Sequence, residues 1–245
     1  MRPQRAHHFT LHELLVIAAL AALGGVSGSA VSWIGASVRA ITGLPGNLQF
    51  MAGIHILWLV LAVGLIRKPG AATATGVLKG AVELLSGNPH GVIVVLMSAL
   101  GGFVVDIVWV LAGRRDRLVV YLLAGGFGAA SNLLIFRLIV ALPDHRAVTM
   151  ALAALTLVAF VSGMLLAGLL AWSLMDVLRR VGAAGAPPPR PARRPAWRMW
   201  LGIAAVCTVL VSGAMGFFFS AFHNTARAVQ DAPVSPTPVE TARAP

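Results

Sequence analysis

A lysine and a glutamate stand four residues apart inside a largely apolar stretch of the chain. Lys79 and Glu83 lie in "AATATGVLKGAVELL", which follows "RKPG" and precedes "SGNPHG". Residues four apart lie on one face of a helix, so the two side chains can form an ion pair. Charged side chains in membrane-spanning helices usually face a bundle interior or a cavity. Two interpretations stay open: a structural pair that neutralises itself, or a carboxylate that binds a cationic ligand with Lys79 beside it.

Two further polar residues lie within apolar runs. Asp106, in "GGFVVDIVWVLAGRR", is either a ligand carboxylate or a helix-packing group near Arg114 and Arg115. Asn132, in "GAASNLLIF", can bind ligand or donate hydrogen bonds between helices, which is the more common use of a lone asparagine. Both residues are candidates for a substrate-binding site.

The remaining candidates are loop and aromatic residues. Asn88 and His90 belong to the turn-like "SGNPHG", where they could contact a ligand at a cavity mouth or serve only the loop. Trp58 and Trp109 lie in apolar runs, and each could stack on a planar ligand ring or pack in the bundle. We count all four as candidate substrate contacts.

The composition is that of an integral membrane protein. Of 245 residues, 58% are apolar and 11% are charged, whereas about a quarter of an ordinary soluble domain is charged. The apolar runs are long and continuous, which favours helices over a barrel. The sequence therefore predicts an all-α membrane protein with seven spans. They cover residues 11–31, 48–66, 71–87, 91–113, 118–140, 147–175 and 198–220.

Cations cluster between the apolar runs, and their positions predict the topology. The net charge of +11 alone would suggest nucleic acid, but short clusters beside membrane spans are typical of cytoplasmic loops. An N-terminus inside the cell places most Lys and Arg residues on the inner side. These are Arg2, Arg5, Arg67, Lys68, Arg114, Arg115, Arg117, Arg179, Arg180, Arg190, Arg193, Arg194 and Arg198. We expect a multi-pass plasma-membrane protein that contacts lipid and no nucleic acid.

The chain divides into four parts by composition. Residues 1–181 form a six-span membrane core, and residues 182–197 form a Pro- and Arg-rich cytoplasmic linker with extended geometry. Residues 198–220 form a seventh span, and residues 221–245 a disordered extracytoplasmic tail. An alternative for the first apolar run is a cleaved signal sequence.

The sequence carries no pattern that predicts catalysis. It has one cysteine, Cys207, and no nucleotide-binding loop, His-Glu-x-x-His pair, Cys–His cluster or nucleophile–base pair that we recognise. We therefore predict a protein that is not an enzyme, with no cofactor and no metal site.

The motifs "RKPGA" and "VELLSGNPHG" are followed by a helix with a carboxylate. With these motifs, residues 50–109 resemble the YkoE-type substrate-binding (S) components of energy-coupling factor (ECF) transporters. The resemblance extends over roughly residues 10–175. The resemblance implies a bundle of six helices that binds a vitamin or its precursor, here thiamine or hydroxymethylpyrimidine. The seventh span, the linker and the tail are departures from the family pattern.

The resemblance also implies partners and roles for individual residues. An S component works with a transmembrane coupling (T) component and two cytoplasmic ATPases that power uptake. Glu83 matches the family's carboxylate on the third helix, which implies that it recognises an aminopyrimidine or thiazolium ring. Ala18 and Ala22 match the small-residue face of the first helix, which implies contact with the T component.

Two other functions stay open. An ion-coupled secondary transporter would use Glu83 and Asp106 as proton or ion relays, and inverted repeats would support it. A membrane scaffold protein without transport activity would use the Lys79–Glu83 pair only to hold its helices together.

Overall fold

The described residues of the computed structural model, 8–42, 49–139 and 146–182, are mostly helical. The elements are α1 (Leu11–Thr42), a 3-10 turn (Gln49–Met51), α2 (Ala52–Ile66), α3 (Ala71–Leu85), α4 (Ile93–Leu111), α5 (Leu118–Ile139), α6 (Arg146–Ser162), a π-helical segment (Gly163–Leu169) and α7 (Leu170–Arg180). The last three follow one another without a break, so the described residues form six continuous helical rods, and the last rod is Arg146–Arg180. The predicted all-α bundle is confirmed. The predicted linker, seventh span and tail lie outside the described residues.

Four of the described helices are long and apolar enough to cross a membrane. They cover Leu11–Val38, Gln49–Ile66, Ile93–Leu111 and Val148–Arg180, and α5 adds a shorter apolar stretch, Leu118–Leu133. The third rod, α3, has 15 residues and a length of about 22 Å, less than the roughly 30 Å of a bilayer core. The first helix continues to Thr42, beyond the predicted end at residue 31.

α2 forms the centre of the bundle. It contacts α1, α3, α4, α5 and the last rod, and ten of its fifteen residues are buried. Every residue of α2 is apolar or glycine except His55. The helix ends at Ile66. Arg67 caps it in a left-handed conformation (φ 58°) and donates its backbone N–H to the Val63 carbonyl. Pro69 then prevents the helix from continuing.

A capping box begins α1. The Thr10 backbone N–H donates to Glu13 Oε2 at 2.7 Å, and the Glu13 N–H donates to Thr10 Oγ1 at 3.3 Å. This reciprocal pair satisfies donors that the first turn of a helix leaves free. Lys68 joins the same carboxylate at 2.7 Å, so the start of α1 is tied to the turn that follows α2.

Small residues bring the last rod against α5. A Cβ on Gly163 would overlap the Gly125 carbonyl oxygen and would lie 2.6 Å from Ala129 Cβ, so only glycine fits at this position. Ser162, just before the π-helical segment, donates to the Phe50 carbonyl at 2.6 Å and accepts from the Gly53 N–H at 3.0 Å. π-helical turns are rare within helices, and this one lies where the two backbones approach closely.

One end of the bundle carries most of the described cations, and we call it the basic end. It brings together Arg67 and Lys68 after α2, the loop 112–117, and Arg179 and Arg180 at the end of α7. The α3–α4 turn and the first turn of α2 lie at the opposite end, which we call the polar-site end because the Lys79–Glu83 pair lies there.

Candidate functional site: a buried carboxylate with a free oxygen

Lys79 and Glu83 form an ion pair inside the bundle. The ammonium group contacts Glu83 Oε1, and only 1% of Lys79 and none of Glu83 is exposed. Lys79 Nζ also donates to Ser98 Oγ of α4 at 3.3 Å. The predicted pairing of residues four apart is therefore present in the structure. Both charges are removed from solvent, an arrangement that is costly unless each charge has partners.

His55 of α2 is the third member of the cluster. Its Nδ1 lies 3.5 Å from Glu83 Oε1, and its side chain is 22% exposed. The sequence interpretation missed this residue. A signal was available, since His55 is the one polar side chain in the apolar run of α2, and ionisable residues inside spans often mark functional sites.

Glu83 Oε2 is buried and has no hydrogen-bond partner among the described residues. Its sister oxygen, Oε1, takes both contacts, from Lys79 and His55. An unpaired buried acceptor costs about 1–3 kcal/mol, and more for a charged group. The carboxylate therefore holds an open position for a hydrogen-bond donor.

Asn132 supplies a second open acceptor. Its Oδ1 is buried without a hydrogen-bond partner in the described part of the chain. A Cβ on Gly101 of α4 would lie 3.2 Å from this oxygen and 3.2 Å from Ile56 Cδ1. Asn132 therefore reaches the α2–α4 contact at the residue next to His55.

The α3–α4 turn closes the polar-site end through backbone and amide hydrogen bonds. The Asn88 N–H donates to the Glu83 carbonyl at 3.1 Å, and Asn88 Nδ2 donates to Ser32 Oγ of α1 at 3.2 Å. The His90 N–H donates to Asn88 Oδ1 at 3.0 Å. Asn88 is buried and holds the turn on α1, so these contacts give it a structural role beside the carboxylate.

The two tryptophans have different surroundings. Trp58 donates its indole N–H to Ser27 Oγ of α1 at 2.9 Å. Trp109 is fully buried near the basic end of α4, where its ring meets the edge of Tyr121 with 5.4 Å between centroids. Trp109 therefore lies at the far end of the bundle from Glu83.

Asp106 caps α3 from a neighbouring helix. Its Oδ1 accepts from the Ala72 N–H at 3.3 Å, and its Oδ2 accepts from the Thr73 N–H at 2.8 Å and the Thr73 hydroxyl at 2.6 Å. These N–H groups belong to the first turn of α3, which has no side-chain cap of its own. Eleven residues of helix separate Ala72 from Glu83, about 16 Å. The structure thus keeps Asp106 apart from the polar cluster.

Replacing Asp106 with Ala should destabilise the protein by about 1–2 kcal/mol, because two N–H groups of α3 lose their acceptor. Ligand affinity should stay within about twofold at temperatures where the variant is folded, since a factor of two is under 0.5 kcal/mol. Thermal unfolding in detergent and calorimetry on the same sample measure both quantities. Asp106→Asn is the matched control, since it keeps the shape and one acceptor. An affinity loss in Asp106→Asn with unchanged stability would assign Asp106 to the ligand instead.

Ala18 and Ala22 lie on the exposed face of α1. The neighbouring exposed residues include Leu14, Leu15 and Val26, so the described part of the bundle leaves this face apolar and largely uncovered. The opposite face, with Gly25 and Gly28, packs against α3. The predicted contact with a T component at Ala18 and Ala22 remains a prediction.

Comparisons with known proteins identify the class. Residues 12–131 match the family model described as "ABC-type cobalt transport system, permease component". The chain is 30% identical over 147 residues to a Bacillus subtilis (strain 168) protein named as a candidate HMP/thiamine permease, YkoE. That match covers 59% of this chain and 73% of the relative. A solved S component of an ECF transporter superposes with a TM-score of 0.62 and 28% identity, covering 71% of this chain and 88% of that structure.

The fold is therefore that of a substrate-binding S component of an ECF transporter, a multi-pass protein of the plasma membrane. Family and fold are those of transport components and not of enzymes. Within this class, the chain belongs to the YkoE-type S components. The resemblance on which the sequence interpretation relied is confirmed.

Proposed function

We propose that this S component captures thiamine or its hydroxymethylpyrimidine precursor at the polar-site end. Uptake is then powered by a T component and two cytoplasmic ATPases. Two kinds of observation support the proposal. The named relative is a candidate HMP/thiamine permease, and the site offers hydrogen-bond acceptors to a donor-rich or cationic ring.

The observation that carries the proposal is the unpartnered Glu83 Oε2. A fully buried carboxylate oxygen without a donor destabilises the protein, so a ligand that donates a hydrogen bond to it would be favoured. An exocyclic amine of an aminopyrimidine presents two N–H donors, and a thiazolium carries a positive charge. A charge-assisted hydrogen bond from such a ring is about twice as strong as a neutral one.

The contacts around the site leave one carboxylate oxygen for the ligand. The Lys79 ammonium contacts Glu83 Oε1, and His55 Nδ1 lies 3.5 Å from the same oxygen. Glu83 Oε2 contacts neither group, so it is the oxygen to which an N–H donor of the ligand would bind. Asn132 Oδ1 gives a second acceptor for another donor of the ligand.

We assign the other predicted site residues to two groups. Glu83, Lys79 and Asn132, with His55 added, form the proposed ligand contacts. Trp58, Asn88, Asp106 and Trp109 act in the scaffold, since their polar or aromatic groups contact other helices. His90 stays a proposed contact at the cavity mouth. Ligand pockets with a few convergent polar groups in an apolar surround are common.

The orientation follows from the charges of the basic end. Arg67, Lys68, Arg114, Arg115 and Arg117 lie at this end, and basic loops are retained in the cytoplasm. We propose that the basic end faces the cytoplasm, which places the N-terminus inside and the polar site near the outer surface. An outward site suits capture of a nutrient from outside the cell.

The description of the matching family model includes cobalt, but the side chains at the polar-site end suit a metal ion poorly. Among the described residues, no group of three or more His, Cys, Asp or Glu side chains is placed to hold a metal ion. The cluster at the polar-site end offers a cation one carboxylate and one imidazole, whereas a bound metal ion usually has at least three protein ligands. A ring that donates hydrogen bonds needs only the open oxygen of Glu83, so these side chains favour an organic ligand over a metal ion.

The first test is direct binding to the full-length chain in detergent, by calorimetry or tryptophan fluorescence. Thiamine, hydroxymethylpyrimidine, cobalt and a neutral vitamin are compared. Sub-micromolar affinity for one pyrimidine compound, with no response to cobalt, is expected. Equal, weak responses to all four would contradict the proposed substrate while leaving the S-component class in place.

Uptake in cells separates the two energy sources. With the partner ATPases inactivated, accumulation of the labelled ligand should stop although binding persists. Uptake that survives this loss but collapses with the proton gradient would favour the ion-coupled transporter and would remove the ATPases from the proposal.

Contact of the T component with α1 predicts a specific sensitivity to side-chain size. Ala22→Leu should weaken co-purification of the T component by about tenfold or more, because bulky side chains keep helix backbones apart. Binding of the vitamin to the isolated chain should not change. Ala30→Leu, the same substitution on another exposed position of α1, is the matched control. Equal losses of co-purification for both variants would mean that the T component does not contact α1 specifically at Ala22.

A further inference from the structure

Buried polar atoms without partners in the described residues fall into two chemically opposite sets. At the polar-site end they are acceptors, Glu83 Oε2 and Asn132 Oδ1. Toward the basic end they are donors, Trp109 Nε1 and the Nε and Nη1 atoms of Arg179. The proposed vitamin satisfies the acceptors, but it cannot satisfy donors at the other end of the bundle.

Asp116 is the acidic centre of the basic end. Its Oδ2 lies 2.5 Å from Arg179 Nη2 and 3.4 Å from Arg67 Nη2, while its Oδ1 accepts from the Tyr121 hydroxyl at 3.2 Å. One carboxylate therefore serves two guanidinium groups and a phenol. In this cluster the cations exceed the anion by one.

Burial makes this excess positive charge destabilising. The Arg179 side chain is 1% exposed, and a buried charge destabilises a protein unless it has a full set of partners. Arg180, the next residue, is not a buried charge of this kind, because it is largely exposed and pairs with Asp176 at 2.8 Å. Among the described residues, the cluster holds one carboxylate for two guanidinium groups, so a further anionic acceptor would satisfy the remaining N–H groups of Arg179.

The cluster is open on one side. The Arg67 side chain is 46% exposed and reaches Asp116 from outside, and Arg114, Arg115 and Arg117 in the adjoining loop are exposed. Guanidinium groups match phosphate and carboxylate oxygens with two parallel N–H bonds. Basic pockets between helices at the cytoplasmic face bind the headgroups of anionic lipids.

We propose that the basic end is a binding site for a phosphate-class oxyanion, held by Arg67 and Arg179 beside Asp116. The phosphate can come from an anionic phospholipid headgroup or from free phosphate, and the experiment separates these sources. This site is distinct from the proposed vitamin site. Evidence against oxyanion binding would therefore leave the proposed function unchanged.

The test uses the full-length chain and two matched arginine variants. Arg67→Asn removes one guanidinium and keeps a residue that tolerates the left-handed conformation of position 67. Arg180→Asn removes the same charge one residue from Arg179 and is the control. Binding is measured in nanodiscs of phosphatidylcholine with and without phosphatidylglycerol, by native mass spectrometry of retained lipid. A second arm compares inorganic phosphate with chloride at equal ionic strength in detergent.

Wild type should bind phosphatidylglycerol about tenfold more tightly than Arg67→Asn, which is the loss expected from one charge-assisted hydrogen bond. Arg180→Asn should bind like wild type. The same pattern with inorganic phosphate, and no preference among lipids, would assign the site to free phosphate. Equal anion binding by all three proteins, or equal loss in both variants, would overturn the proposal.

Asp116→Asn separates anion binding from a purely structural role of the carboxylate, through the recovery of the unfolding temperature by phosphate compounds. The variant leaves two guanidinium groups without an acid, so its unfolding temperature should fall in phosphatidylcholine. Phosphatidylglycerol or phosphate should restore more of that loss than the same addition gives to wild type. A lowered unfolding temperature that no phosphate compound restores would also overturn the proposal.

Discussion

Glu83→Gln should abolish high-affinity ligand binding and also destabilise the protein, and the two effects should be separable. The amide keeps the shape of the side chain but removes the charge that the ligand cation meets. Loss of a charge-assisted hydrogen bond costs about 1.5–3 kcal/mol, a decrease in affinity of about tenfold to a hundredfold. The buried ammonium of Lys79 also loses its partner, which costs about 3–5 kcal/mol of folding stability.

A second substitution separates folding from binding. In the double variant Lys79→Met/Glu83→Gln, neither side chain is charged, so most of the lost stability should return. A buried ion pair replaced by uncharged groups of similar volume is often neutral or even stabilising. Ligand binding should not return, because the carboxylate that receives the ligand is still absent.

Lys79→Met alone should give the complementary result. Glu83 then remains charged and buried with only His55 beside it, so the free protein is destabilised. A cationic ligand can take the place of the ammonium group, so ligand should raise the unfolding temperature of this variant more than that of wild type. Calorimetry measures ligand affinity and thermal unfolding in detergent measures stability for all four proteins of this cycle, which are wild type, the two single variants and the double variant.

The cycle also tests the scaffold interpretation of the pair. If Lys79→Met/Glu83→Gln recovered ligand binding together with stability, the pair would only hold the helices. If Lys79→Met behaved the same with and without ligand, the ammonium and the ligand would not share a site. Either result would contradict the proposed role of Glu83 and would leave the fold unchanged.

Periodicity predicted the Lys79–Glu83 contact, because both partners belong to one helix. The same kind of local information gave the helices, since each is a continuous apolar run. His55 could not be placed in this way. His55 and Glu83 are 28 positions apart in the sequence and lie on different helices. Which face of α2 meets α3 depends on the packing of the whole bundle.

For Asp106 the sequence left two roles open, a ligand carboxylate and a helix-packing group near Arg114 and Arg115. A carboxylate in a span needs partners of one kind or the other. The structure supplies backbone donors instead, the first turn of α3. The start of a helix carries a partial positive charge and free N–H groups, but no local pattern shows which distant helix it will face.

The length of α1 has a similar cause. The apolar run predicted an end at residue 31, whereas the helix continues to Thr42. Ser29 and Ser32 lie near this point, and both are buried: Ser29 Oγ lies 3.5 Å from the Glu83 carbonyl, and Ser32 accepts from Asn88. A polar side chain that ends an apolar run can therefore continue a helix when a neighbouring turn supplies its partner.

Gly28→Ala should damage the site from a different helix. A Cβ on Gly28 would overlap Glu83 Oε1 and would lie 2.9 Å from Glu83 Cδ and 3.1 Å from His55 Nδ1. The carboxylate or α1 must shift, and overpacking of this kind costs about 1–3 kcal/mol. Alanine favours a helix over glycine by about 1 kcal/mol, which offsets part of that cost. Ligand affinity should fall by about tenfold, because the displaced carboxylate no longer keeps its geometry.

Gly101→Ala is the matched control for stability. It makes the same substitution in a helix interior, but the new Cβ would lie 3.2 Å from the ends of two side chains that can adjust, Asn132 and Ile56. Its unfolding temperature should equal or exceed that of wild type. A loss as large as that of Gly28→Ala would show that glycine is required throughout the bundle and not specifically beside Glu83.

A shorter acid tests the direction of the clash. Glu83→Asp withdraws the carboxylate by one methylene, so in the wild-type background it should weaken the contacts with Lys79 and His55 and lower ligand affinity. In the Gly28→Ala background the same change removes the overlap, so it should raise the unfolding temperature. This reversal of sign is expected only if the Cβ at position 28 meets the carboxylate itself. If Glu83→Asp lowered stability equally in both backgrounds, the damage caused by Gly28→Ala would arise elsewhere on α1, and the placement of the carboxylate against that helix would be wrong.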